Sequence, residues 1–181
     1  AGPAFEGGGI SCGMRASDGA IEKVSIDENT LEPNLTIIGE CAPIGICGSG
    51  IIDLICQMLL KGIIDRRGKI KRELNNKRIR FNEHDIGEYV LAFKEEYEEL
   101  ENDLFINEVD IDNFIRTKGA IYSGASVLVE SLGMDFDVID NVYIAGGIGN
   151  NLDIENSILI GLLPDIDRSK FKYIGNSSLV G

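Results

Sequence analysis

The sequence has no apolar run near the ~18–20 residues that a membrane-spanning helix needs, so a soluble protein without a membrane partner is expected. Nor does it open like a secretion signal, because Ala1-Gly2-Pro3 carries no basic segment and no long apolar stretch follows it. Basic charge is scarce. The 17 Lys and Arg stand against 30 Asp and Glu, a formal net charge of −13, which argues against a nucleic-acid backbone as partner. Four cysteines, Cys12, Cys41, Cys47 and Cys56, form no C-x-x-C pair and match no common zinc or iron–sulfur spacing. They read as free thiols of a reducing cytoplasm, with no metal site. His84 is the single histidine and lies in a charged stretch, so a Ser–His or Cys–His catalytic pair is not expected. No G-x-S-x-G elbow and no G-x-x-x-x-G-K-[ST] phosphate loop occurs. The acids are too many for a catalytic pair to be chosen by spacing, and the catalytic residues stay unassigned.

What the chain does have is glycine punctuation between strand and helix patterns. A loop occupies residues 1–18, with a short helix at Pro3–Gly7. Gly19–Asp27 alternates apolar and polar and reads as a strand, Leu35–Ile38 as a second, with a hairpin turn at Glu28-Asn29. An apolar helix runs from Ile51 to Lys61, with Ser49 as N-cap and Gly62 as stop. Residues 65–87 are basic and polar and read as a surface excursion. Strands at Glu88–Phe93 and Leu104–Ile106 flank an acidic run that reads as a solvated face.

A long helix from Val109 to Leu132 carries one apolar stripe through Ile111, Ile115, Tyr122, Ala125, Val129 and Leu132. Its interior Gly119 and Gly124 suit close approach by another backbone. Then come a strand at Val138–Ala145, a glycine turn at Gly146–Leu152, a helix at Asp153–Gly161 and a strand at Phe171–Ile174, together a βαβ unit. Gly175-Asn176-Ser177-Ser178 has the pattern of another helix start.

Three glycine loops are candidate anion sites: Gly2 to Gly9, Gly45 to Gly50, and the turn after the strand at Val138–Ala145. The last is not a dinucleotide fingerprint, since Leu152 stands where the third glycine belongs, and no ribose-binding acid ends the following strand. The turn alone is equally compatible with a βα connection that binds nothing. Three such loops together favour a nucleotide-sized anion site.

The segments AGPAFEGGGISCGMRA, GICGSGIIDLI and VYIAGGIGNNLDIENSILIGLLP, ending in IGNSSLVG, together resemble the reductive activators of corrinoid proteins. These belong to the acetate and sugar kinase, heat-shock chaperone and actin superfamily. The resemblance covers nearly the whole chain and is weakest across 65–103. It implies an α/β fold: the C-terminal lobe, residues 1–181, of an actin-like (ribonuclease H-like) ATPase domain. That lobe has a mixed sheet with flanking helices and a charged excursion at about 65–103. It further implies ATP and Mg²⁺ as ligands, and a methyltransferase system's corrinoid protein as partner, returned from Co(II) to Co(I). A [2Fe-2S] cluster is implied only for an N-terminal domain outside this chain.

By the same resemblance, Gly146, Gly147, Gly149 and Asn150 meet the adenosine end, with Lys118 and Ser123 of the preceding helix. Gly2 and Glu6 lie near the phosphates, and Gly48 and Gly50 offer further backbone N–H groups. The Asp-x-Gly-Thr phosphate motifs of the superfamily do not occur here, so the incomplete domain is expected to bind nucleotide weakly alone. Both ends read as cut, and a lobe without its other half exposes surface through which it can form a homodimer. Two alternatives stay open: the ATPase lobe of a 2-hydroxyacyl-CoA dehydratase-type activator, and a docking module without nucleotide chemistry.

Overall fold

The computed structural model describes residues 4–146 and 152–175. After an irregular wound turn at Ala4–Gly8, β1 (Ala20–Ile26) and β2 (Pro33–Ile37) pair antiparallel, as the hairpin pattern predicts. The Asp27 carboxylate makes the turn by accepting the N–H groups of Asn29 and Thr30, at 3.0 and 2.8 Å. A short β3 (Gly45–Ile46) adds parallel to β1.

Helix α1 (Gly48–Leu60) starts earlier than the sequence suggests, and Ser49 is not its N-cap. Cys47 takes that position, while the Ser49 hydroxyl donates to the Glu22 carbonyl at 3.0 Å. The reason is packing. A Cβ on Gly50 would stand 2.3 Å from the Ile21 carbonyl oxygen, so only glycine lets the helix start lie this close to β1. Ile51, Ile52, Leu54, Cys56 and Met58 are all buried, and Gly62, at φ +69°, ends the helix as expected.

Strands β4 (Ile79–Phe81), β5 (Gly87–Ala92) and β6 (Leu104–Asn107) form a second antiparallel sheet in that order. Here the reading of 65–87 as surface is corrected: Ile70, Arg78 and Ile79 are buried. Charge pairing makes this affordable to the fold. Arg78, 5% exposed, bonds Glu32 at 2.6 Å and Glu96 at 2.5 Å and lies 4.5 Å over the Phe93 ring. Arg80 likewise holds its cross-strand neighbour Glu88 at 2.7 Å.

Helix α2 (Glu108–Ser131) begins at a capping box. The Asn107 side chain accepts from Val109 and Asp110, and the Asp110 carboxylate accepts from the Asn107 N–H. Its apolar stripe is fully buried only at Ile111; Ile115, Ala125 and Val129 are half-buried, and Tyr122 and Leu132 are 37% and 68% exposed. Gly119 and Gly124, expected to admit another backbone, have no described atom within 4 Å of a built Cβ.

Strand β7 (Val142–Ile144), α3 (Ile154–Leu159) and β8 (Phe171–Tyr173) form the expected βαβ unit, with β7 and β8 parallel. β7 is shorter than read because Phe136–Val138 winds into a 3-10 turn capped by Asp135. Parallel and antiparallel pairings, flanked by helices, are thus both present, distributed over three small sheets among the described residues. The helix start read at Gly175-Asn176-Ser177-Ser178 falls largely outside the described residues.

Removing Arg78 leaves two half-exposed carboxylates facing each other. Arg78→Ala is expected to cost about 2–3 kcal/mol in denaturant unfolding, below the ~3–5 kcal/mol of a wholly buried pair because water reaches both acids. Burial opposes ionisation of Glu32, but hydrogen bonds from Arg78 and Lys77 outweigh it and hold its carboxyl below the ordinary value. A lowered folded-state pKa gives stability that is full above the ordinary Glu range and is lost as pH falls through the lowered value. Arg78→Ala should therefore unfold with a flatter acid limb than the parent.

Candidate functional site

Two of the three glycine loops are brought side by side. The N-terminal loop is fastened to α2: Phe5 stacks on Phe114 at 5.2 Å, and both the N–H and the hydroxyl of Ser11 donate to Asp110 at 2.7 Å. Asn113 adds a bond to the Gly9 carbonyl at 2.8 Å. The same loop runs beside β3, with the Met14 N–H donating to the Ile46 carbonyl and the Ile46 N–H to the Cys12 carbonyl, each at 2.9 Å. Burial pushes the Cys12 thiol up to about 12, with the Asp110 charge adding to it, so Cys12 stays a neutral thiol. Glu6 is half-buried with its carboxylate 3.7 Å from Arg15. Gly2 lies outside the described residues.

The third loop begins at Gly146. Its φ of +100° favours glycine, its N–H donates to the Gly175 carbonyl at 2.8 Å, and no described atom stands within 4 Å of a built Cβ. A glycine here lets the backbone turn where a side chain would be strained. At the far end of the turn, the Tyr173 hydroxyl donates to the Leu152 carbonyl at 2.6 Å. Asp153 then caps α3 by accepting from the Asn156 N–H at 2.9 Å. Gly147, Gly149 and Asn150 lie outside the described residues.

The other expected site residues are placed differently. Gly48 and Gly50 are buried, so the start of α1 faces β1 rather than an open cleft. Lys118 donates to the Ile160 carbonyl, just past the C-terminal end of α3, whereas the glycine turn precedes its N-terminal end. Ser123 is exposed on α2 between the two open glycines, Gly119 and Gly124.

Sequence reasoning missed a polar link between α1 and α3. The Asn156 amide donates to Asp53 at 2.8 Å, and the Cys56 thiol donates to the Asn156 carbonyl oxygen at 3.2 Å. Burial raises the Asp53 carboxyl above its ordinary value. Asp53 and Asn156 line a cavity of about 370 Å³ with Lys23, Asn34 and Gln57. A lone acid within the apolar run Ile51 to Leu60 was the available signal. Among the described residues, no three His, Cys, Asp or Glu side chains converge as a metal set, and no helix is long and apolar enough to cross a membrane.

Comparison with known proteins bears on this arrangement. The family model for the C-terminal domain of RACo, the ASKHA domain, matches residues 1–181. A corrinoid activation enzyme, RamQ of Eubacterium limosum, is 35% identical over 185 residues, covering 99% of this chain and 31% of its own. A [Co(II) methylated amine-specific corrinoid protein] reductase of Methanosarcina barkeri is 27% identical over 199 residues, covering 99% and 32%. A solved structure of a reductive activator for corrinoid,iron-sulfur protein superposes with a TM-score of 0.90 at 51% identity. It covers 99% of this chain and 28% of that one. The chain therefore spans about a third of the length of the curated relatives it matches.

The Ser11–Asp110 clasp makes a separate prediction. Asp110→Ala removes three accepted hydrogen bonds and should lower stability by about 2–3 kcal/mol, the range for bonds to a charged acceptor. Amide exchange at Ser11 should rise at least about tenfold, as expected of a loop released from its anchor. Unchanged Ser11 protection, measured by hydrogen exchange, would show that the loop is held by other contacts.

Proposed function

Because the chain belongs to the RACo C-terminal family, the ASKHA domain of these proteins, we propose that it is the nucleotide-binding lobe of an ATP-dependent activator. That activator returns the Co(II) corrinoid of a methyl-transferring protein to Co(I). The observation that supports the reading is the left-handed glycine Gly146 directly after β7, found in a chain that matches this family from end to end. The names of the relatives support the partner, since each one refers to a corrinoid or a corrinoid protein. No observation favours a dehydratase-type activator or a docking module without nucleotide chemistry.

The residues present fit the nucleoside end of ATP. Gly146 holds a left-handed conformation and has no side chain, so the backbone can lie against a flat ring. Gly147, Gly149 and Asn150 continue this wall in our reading, and Ser123 offers a hydroxyl from the exposed face of α2. Gly2 and Glu6 are assigned to the phosphate side, where the clasp on α2 steadies the loop that carries Glu6. Gly48 and Gly50 are buried and are left out of the site, and Lys118, which donates to the Ile160 carbonyl, is not assigned to it.

The Mg²⁺-binding acid belongs to an Asp-x-Gly-Thr motif that this chain does not contain. ATP and its Mg²⁺ would supply the driving force for an electron transfer that is uphill without them. This lobe's task is positioning: it fixes the nucleoside so that closure of two lobes and their reopening become a two-state element that the nucleotide biases. The [2Fe-2S] donor is carried by another domain of the whole protein in this reading, and the protein works in the cytoplasm.

Calorimetric titration with Mg-ATP tests the assignment. Gly146→Val forces a branched side chain into a left-handed backbone where the nucleoside would lie, so affinity should fall at least about tenfold. The melting temperature of the variant is measured alongside. Equal binding by a folded Gly146→Val protein would remove the adenosine end from this turn.

A further inference from the structure

A second cavity lies between the three helices, away from the glycine turn. Its walls are Ile55 and Leu59 of α1, Phe114 and Ile115 of α2, and Leu159 and Ile160 at the end of α3, and its volume is about 270 Å³. Pockets for small molecules begin at roughly that size. The turn before β4 closes one side, and Gly68 permits it: a Cβ there would stand 2.7 Å from both Ile111 and Ile115.

Three charged residues line this apolar space: Lys118, Arg66 and Asp65. Asp65 is already engaged, because one of its oxygens accepts the N–H groups of Arg67 and Lys69 at 2.8 and 2.9 Å. The two cations are not. Lys118 gives one N–H to the Ile160 carbonyl, and an ammonium has three to give. Among the described residues no carboxylate pairs with Lys118, and the Arg66 side chain has no partner. Two cations against one acid leave the rim of this cavity with one net positive charge, which favours an anion. Its charge must be single, since Asp65 stands at the same rim, and its body must be apolar to match the walls.

We infer that this cavity binds a small monocarboxylate with an apolar tail, its carboxylate held by Lys118 and Arg66 and its tail lying among Ile55, Phe114 and Leu159. The site is independent of the nucleotide reading, because it lies at the C-terminal end of α3 and the glycine turn lies before the other end.

Titration of the intact protein with hexanoate, and with hexanamide as its uncharged counterpart, tests this. Hexanoate should bind saturably below roughly 1 mM, and hexanamide at least about tenfold more weakly. Lys118→Met should remove that preference for the acid, and Lys118→Arg should keep most of it. Arg66 is exposed, so Arg66→Ala will leave the fold intact, and it should weaken hexanoate several-fold. These results decide the matter even where Lys118→Met fails to fold. Equal affinity for acid and amide, no saturable binding, or hexanoate binding unchanged in both Lys118→Met and Arg66→Ala would overturn the inference. Displacement of hexanoate by Mg-ATP would overturn it too, by making the cavity part of the nucleotide site.

Discussion

The burial of α1 on nearly every side is the constraint from which the rest of the structure follows. A helix this apolar, Ile51 to Leu60 with a single acid, cannot sit at a surface, so strands and helices must enclose it. β1 does so from one side, at a distance that Gly50 alone permits. α3 does so from another, held through Asn156 to Asp53 and Cys56. Because α3 follows directly from the glycine turn, the packing of α1 also fixes the point at which the chain leaves that turn, at Leu152 and Asp153. Both cavities described above have a wall of α1.

A second dependence links the N-terminal loop to the long helix. Asp110 serves two purposes at once: it completes the capping box of α2 and accepts both bonds from Ser11. Asp110 thus ties the start of α2 to the loop that carries Glu6, alongside Phe114 and Asn113. In the proposed function, this couples the phosphate side of the nucleotide to the same helix whose exposed face carries Ser123. A rigid connection of this kind is what two lobes need if nucleotide binding is to move one against the other.

Local pattern revealed the hairpin, both long helices and the βαβ unit, because each rests on periodicity or a capping residue within a few positions. It failed where distant residues decide. Arg78 reads as surface in its own neighbourhood and becomes core only because Glu32, 46 positions away, pairs with it. Lys118 resembles a ligand residue beside its sequence neighbours, yet the packing of α3 directs it to Ile160. Gly48 and Gly50 have the look of a phosphate loop, but the depth of α1 buries both, and Gly50 serves its close packing on β1. The Gly146 turn has a left-handed conformation that its own glycine permits, and its assignment to the nucleotide belongs to the proposed function.

The central claim is that this lobe serves an activator in which nucleotide drives electron transfer to a corrinoid. The most direct measurement follows the absorbance of a Co(II) corrinoid partner protein under anaerobic conditions, with the intact activator and a reductant, in the presence and absence of Mg-ATP. The account predicts that Co(I) accumulates only when Mg-ATP is present. Equal accumulation without it would contradict the account.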